Sequence, residues 1–136
     1  MRGGAIRWWQ KPDLVAEILA TYVRVRWSLR RHDLPSTVAA LRARPSRRRS
    51  RAELDPAGAW AYAHAVVRVL RLLPTDSRCL VRSLVLLSVL ARRGAEAELV
   101  IGVLAGPEFA AHAWLEHRGV PLLKPGRAAA GRLVEL

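Results

Sequence analysis

Cys79 is the only cysteine in the chain, and its position suits a nucleophile. It follows the polar run Thr75–Arg78 and lies just inside the predicted start of a long apolar helix. The unpaired N–H groups and the dipole of a helix N-terminus favour a thiolate, and the N–H of Cys79 itself can contribute to an oxyanion hole. The competing interpretation is a small buried side chain, the common role of a lone cysteine.

His112, thirty-three residues downstream, is the candidate proton carrier. It lies in a predicted strand between Ala111 and Ala113, which leave room around its ring. A neutral imidazole can take the proton of a thiol and later give it to a leaving amine. Trp114 shares the face of His112 on a strand, so we expect it to cover the site, exclude water and contact the substrate. A hydrogen-bonded core histidine is the competing interpretation.

The other histidines do not form a metal-binding pattern. His32, His64 and His117 have no close mutual spacing, and the sequence contains no HExxH motif. A single cysteine cannot form an internal disulfide and makes a cysteine-based zinc site an unfavourable hypothesis. We therefore expect no metal, no cofactor and a reducing, cytoplasmic location.

The composition describes a basic chain with enough apolar residues for a core. It has 136 residues, of which 51% are hydrophobic, and a formal net charge of +12. The length predicts one domain, 1–136, without a signal peptide or a spanning segment. The charge favours acidic partners such as nucleic acid, an anionic membrane surface or an acidic peptide.

Helical periodicity dominates the first two thirds of the chain. The predicted helices cover residues 12–33, 37–43, 57–73 and 77–93. Ser36 is a cap for the second helix, Thr75 or Asp76 caps the fourth, and Gly94 ends it. The fourth helix is apolar nearly all round, which predicts a central, buried position.

The apolar faces of two helices can be named from their spacing. In the first helix the face is formed by Leu14, Ile18, Tyr22, Val25 and Leu29. In the third it is formed by Trp60, Ala63, Val67, Leu70 and Leu73.

Strand-like segments follow the fourth helix. They cover residues 97–104, 109–117 and 120–123, and residues 132–136 can add an edge strand. The order of elements predicts an α+β fold with a helical N-terminal half, then a central buried helix packed on a small antiparallel sheet. The helical part is residues 1–51 with a basic linker at 44–51, and residues 52–136 form the core.

The chain resembles the leader peptidases of bacterial lasso-peptide biosynthesis, a family of the transglutaminase-like, papain-like cysteine protease superfamily. The resemblance is strong over roughly residues 73–120. The segments that carry it, in this order and spacing, are Cys79–Leu84, Arg92–Gly94, Leu99–Val103 and Ala111–Glu116.

The resemblance implies a cysteine protease that removes the leader from a ribosomally made precursor peptide. It assigns Cys79 as the nucleophile and His112 as the general base and acid. It also implies three partners: the precursor, a separate protein that recognises the leader, and an ATP-dependent cyclase that acts on the freed core.

The third member of the family's triad, an acidic residue on the next strand, is not evident here. A three-residue turn after the histidine strand would pair His112 with Lys124, and a two-residue turn would pair it with Pro125. A cation or a proline cannot orient an imidazole or stabilise its protonated form as an acid does.

Other carboxylates are weaker candidates for this role. Glu116 shares the face of His112 but lies four strand residues away, about 13 Å. Glu135 on the terminal strand can approach, and Glu108 and Glu98 are further candidates. The site is therefore a Cys–His dyad helped by a backbone or amide group, receives an acid from elsewhere in the chain or from a partner, or has lost activity. We favour activity because Cys79 and His112 are both kept in the matching context.

Two functions from other classes compete with a protease. A nucleic-acid-binding module would explain the charge, the arginine-rich linker and the five tryptophans. However, the tryptophans are not interleaved with the arginines as a base-stacking surface requires, so we expect no nucleic-acid partner. A non-catalytic scaffold that binds the precursor and the recognition protein is the second alternative.

Overall fold

The computed structural model describes residues 11–43, 56–73, 79–104, 110–122 and 132–135. The predicted α+β fold is confirmed. The helices are α1 (Pro12–Arg31), α2 (Leu34–Arg42), α3 (Pro56–Arg71) and α4 (Cys79–Ala91). The strands are β1 (Glu98–Leu104), β2 (Ala110–His117), β3 (Val120–Pro121) and β4 (Arg132–Glu135). The predicted linker at 44–51 and the predicted caps Thr75 and Asp76 lie outside the described residues.

The four strands form one antiparallel sheet in the order β3-β2-β1-β4. β2 and β3 are joined by a two-residue turn in which Arg118 and Gly119 have φ values of 53° and 77°. Positive φ at both central residues matches the twist of the flanking strands, which makes this turn geometry common in hairpins. The edge strand expected at the end of the chain is β4, which pairs with β1.

α4 is the centre of the fold, as its apolar sequence predicts. Every residue from Ser83 to Leu90 is buried. The helix packs against α1, α2 and α3 on one side and against β2 and β1 on the other. Each of its fully buried leucines contributes about 1.5–3 kcal/mol of burial free energy. This burial holds α4 firmly in the core, and the first turn, which carries Cys79, is part of the same helix.

The start of α2 and the end of α4 show which residues set the helix boundaries. Asp33, rather than Ser36, caps α2: its Oδ1 accepts the backbone N–H of Ser36 at 2.9 Å, and α2 starts at Leu34 instead of residue 37. Gly94 ends α4 as predicted, with φ of 75°, a conformation that glycine adopts without steric cost.

The buried face of α3 includes Ala63 and Leu70, as predicted, but not Trp60 or Val67. The residues that pack into the core are Ala59, Ala63, Ala65, Val66, Val69 and Leu70. Trp60 is 38% exposed and pairs with His64, at a ring-centroid distance of 5.7 Å. The core face is therefore shifted along the helix surface away from Trp60 and toward Ala59, Val66 and Val69.

An ion pair joins the first helix to the end of the central one. The guanidinium of Arg93 donates to both carboxylate oxygens of Glu17, at 3.0 and 2.9 Å, and lies 4.4 Å from the ring centroid of Tyr62. Burial alone would lower the pKa of Arg93, but the hydrogen bond and charge of Glu17, with a smaller contribution from Tyr62, raise this pKa above its usual value. The three residues connect α1, α3 and the C-terminal end of α4.

Candidate active site

The thiol of Cys79 meets the backbone of β2 beside His112. Cys79 is the first residue of α4 and is partly buried. The backbone N–H of Ala113 donates to its sulfur, with an N–S distance of 3.4 Å. The peptide unit that carries this N–H also carries the carbonyl of His112. The helix start and the histidine strand are therefore in direct contact at these two positions.

Ser83 reinforces this contact from one turn further along α4. Its hydroxyl donates to the carbonyl of Cys79 at 2.8 Å, and the same oxygen lies 3.4 Å from the carbonyl oxygen of Ala113. Ser83 is fully buried. Sequence reasoning missed this residue, although its spacing of four from Cys79 places both on one helix face.

The strand register explains why these groups face the helix. The N–H of Leu122 donates to the carbonyl of Leu115 at 2.8 Å, so the backbone groups of Leu115 point to the β3 side of β2. Backbone groups two residues apart on a strand point the same way, so those of Ala113 face this side too. There they meet Cys79 and Ser83, so the first turn of α4 covers this part of the strand edge.

His112 is half-buried and lies directly opposite Gly102 of β1. Successive side chains of a strand point to opposite faces of the sheet. The side chain of His112 therefore lies on the face opposite to those of Ala113 and Leu115, which pack in the core with α4. Since glycine has no side chain, the neighbouring strand leaves space beside the imidazole. The structure thus brings the sulfur of Cys79 to the backbone of Ala113, the strand position directly after His112.

Trp114 and Glu116 continue the face of His112. The rings of His112 and Trp114 have centroids 6.2 Å apart and planes inclined at 24°. Trp114 is only 1% exposed, and its Nε1–H donates to Oε1 of Glu116 at 3.0 Å. Trp114 thus covers one side of the imidazole, and its predicted contact with the substrate stays a prediction.

The candidates for a triad acid are distributed around the sheet. The carboxylate of Glu116 binds the indole of Trp114, and Glu98 lies opposite Glu116 in the β1–β2 register. Glu135 pairs with Val100, so β1 separates its backbone from β2; its side chain and Glu108 lie outside the described residues. The two-residue turn is the one that would pair His112 with residue 125, which also lies outside them.

A cavity of about 650 Å³ lies at the other end of α4. Its walls include Leu87 and Ala91 of α4 and the residues Glu98 and Glu116 of the sheet. Cys79 and Ala91 are the two ends of the helix, about 18 Å apart. The cavity is therefore separate from the sulfur.

The fold agrees with a comparison against known protein families. The model of the transglutaminase-like superfamily matches residues 19–133, most of the chain. The chain belongs to the transglutaminase-like superfamily. No curated protein and no solved structure matches it.

Members of the transglutaminase-like superfamily are in general cysteine-protease-like, which agrees with the cysteine protease class predicted from the sequence. Within the described part of this member, no three His, Cys, Asp or Glu side chains are grouped closely enough to hold a metal ion. No helix among the same residues is long and apolar enough to cross a membrane.

Proposed function

We propose that this transglutaminase-like protein is a cysteine protease that removes the leader from a lasso-peptide precursor in the cytoplasm. The observation that carries the proposal is the 3.4 Å contact between the sulfur of Cys79 and the N–H of Ala113. It supports a nucleophile at the start of a buried helix, next to a strand histidine. The sequence resemblance over residues 73–120 supports the choice of substrate.

In the first half of the proposed reaction, Cys79 is the nucleophile and His112 takes its proton. The sulfur attacks the carbonyl carbon at the leader–core junction, and a C–S bond forms. The N–H of Cys79, in the first turn of α4, supports the resulting oxyanion. His112 then gives its proton to the amine of the core as the C–N bond breaks, which leaves the leader as a thioester on Cys79.

In the second half, water releases the leader. His112 accepts a proton from water while the oxygen attacks the thioester carbonyl. The C–S bond breaks, the leader departs as a carboxylic acid that ionises by releasing its proton to solvent, and the proton held by His112 restores the thiol. No step needs a metal or a cofactor, because the sulfur and the imidazole supply both the nucleophile and the proton transfers.

The proposed partners follow the order of these steps. A separate recognition protein holds the leader and brings the junction to Cys79, and an ATP-dependent cyclase receives the freed core. The substrate's leader is recognised elsewhere, so the protease itself needs only a short contact around the scissile bond.

The test is cleavage of a leader–core precursor by the purified chain with the recognition protein present. Mass spectrometry should find two products whose masses add to the precursor plus one water. The proteins with Cys79→Ser and His112→Ala should leave it intact. A precursor cut equally by the Cys79→Ser protein would remove the thiol from the mechanism, whereas failure of all three proteins would favour a non-catalytic scaffold.

A further inference from the structure

A buried tryptophan and a buried carboxylate follow His112 along one face of β2. Trp114 is 1% exposed and Glu116 is 6% exposed. Alternation along the strand puts all three side chains on the same face. A carboxylate is seldom buried without donors, so the position of Glu116 requires an explanation.

The hydrogen bond between these two residues supplies a donor and fixes the indole. The Nε1–H of Trp114 donates to Oε1 of Glu116 at 3.0 Å, and both atoms are buried. This N–H is the only hydrogen-bond donor on the indole. Rotating the ring would therefore break the bond and leave a buried carboxylate with one donor fewer, which holds the indole in a single orientation.

The fixed indole in turn contacts the imidazole of His112. The centroid distance of 6.2 Å and the angle of 24° lie within the range of packed aromatic pairs. On the other side, the β1 residue opposite His112 is Gly102, which has no side chain to hold the ring. Among the neighbours along its own strand, Trp114 is the one that can limit rotation of the imidazole.

We infer that Glu116, acting through Trp114, positions the imidazole of His112 toward Cys79. The inference rests on the proposed function and assigns Glu116 and Trp114 as positioning residues. By aromatic packing they supply part of the orientation that an acidic triad member gives in other cysteine proteases.

Three variants separate this role from general packing. Glu116→Ala removes the acceptor, Trp114→Phe removes the N–H but keeps a ring, and Glu116→Gln keeps a neutral acceptor. We expect Glu116→Ala and Trp114→Phe to lower kcat about 10- to 100-fold with KM within about twofold, as for a misplaced catalytic group. Glu116→Gln should retain most of kcat. Glu98→Ala, which removes the carboxylate opposite Glu116, is the matched control and should behave as wild type.

A second readout does not depend on catalysis. NMR of protein with labelled histidine should show contacts between the protons of the His112 and Trp114 rings in wild type and in Glu116→Gln. These contacts should weaken in Glu116→Ala, whereas those of the surface pair Trp60 and His64 should not change.

The outcomes decide the inference separately from the proposed function. If the wild type does not cleave the precursor, the proposed function fails and the ring contacts alone decide the positioning role. Unchanged ring contacts and kcat in Glu116→Ala would overturn the inference. Equal losses in Glu116→Ala and Glu116→Gln would also overturn it, because charge and not the indole hydrogen bond would then matter. If Glu116→Ala does not fold, Trp114→Phe supplies the same comparison.

Discussion

The backbone N–H of Ala113 donates to the sulfur of Cys79, thirty-four residues earlier in the chain, at 3.4 Å. This bond joins the first residue of the central helix to the strand position after His112. An N–H donor is complementary to negative charge on sulfur, so the same contact that attaches helix to sheet also suits a thiolate nucleophile. Structure and proposed chemistry therefore depend on one short stretch of the interface.

Removing the hydroxyl of Ser83 should weaken this interface. Ser83→Ala loses the 2.8 Å bond to the carbonyl of Cys79, so we expect the free energy of unfolding to fall by about 0.5–1.5 kcal/mol. We also expect slower cleavage because the helix start is less firmly placed. Denaturant unfolding and steady-state kinetics measure the two effects.

Ser88 is the matched control on the same helix. It is equally buried, but its hydroxyl has no hydrogen-bond partner among the described residues. Ser88→Ala should therefore leave stability unchanged or raise it slightly. If the two alanine variants were equally stable and equally active, Ser83 would have no special role.

Replacing His112 by alanine should stop the reaction without unfolding the protein. A general acid–base group contributes about 10²- to 10⁴-fold to the rate, so kcat should fall by a factor of about 10² or more. The side chain is half-buried and lies outside the helical core, so the thermal midpoint should change little. His64→Ala, on the exposed surface of α3, should keep full activity. A His112→Ala protein that cleaves at the normal rate would exclude the imidazole from the mechanism.

The Glu17–Arg93 pair should contribute measurably to stability. Both side chains are mostly buried, with 17% and 22% exposed, and the pair makes two hydrogen bonds. Glu17→Gln should lower the free energy of unfolding by about 1–3 kcal/mol, since Arg93 keeps its burial but loses its counter-charge. Asp13→Asn, exposed on the same helix, should change it by less than about 0.5 kcal/mol. If Glu17→Gln and Asp13→Asn changed the free energy of unfolding in urea equally, the ion pair would make no specific contribution to stability.

The Asp33 cap predicts a specific response to acid. The side-chain and backbone hydrogen bonds from Ser36 lower the pKa of Asp33 below its usual value of 3.8. A lowered folded-state pKa means that the cap stabilises α2 above about pH 3.8 and is lost as the pH falls through the folded-state pKa. Asp33→Asn should remove this component of the acid destabilisation. Thermal midpoints at pH 7 and pH 3 measure the acid destabilisation, with Asp13→Asn as the control variant. Identical pH profiles for Asp33→Asn and wild type would contradict the role of the cap.

The sequence predicts the framework well where one physical signal dominates. Leu84–Ala91 is apolar except for Ser88, and a central position buries such a segment on most sides. Gly94 ends the helix because few other residues adopt its backbone conformation, and the strands follow from short apolar runs between turns. These signals are local, so they do not depend on which elements pack together.

Prediction from the sequence is wrong or incomplete where two nearby residues can play the same role, or where the interacting residues are distant in the sequence. Asp33 and Ser36 are both suitable cap residues near the start of α2, and the structure uses Asp33, whose Oδ1 accepts the N–H of Ser36. Trp60 is apolar enough for a core, but it lies at the surface of α3 and pairs with His64. The bond from Trp114 to Glu116 depends on the orientation of an indole, and the contact of Ser83 with Ala113 depends on packing between elements distant in sequence.

The most direct test of the central claim asks whether the substrate forms a bond to the sulfur beside His112. A leader peptide that ends in a vinyl methyl ester would replace the scissile carbonyl with a carbon that a thiolate attacks. With the recognition protein present, we predict that the intact mass rises by one leader peptide and that peptide mapping places the addition on Cys79. The Cys79→Ala protein should gain no mass, and the His112→Ala protein should react much more slowly. A wild-type protein that cleaves the precursor but carries no adduct on Cys79 would contradict the account.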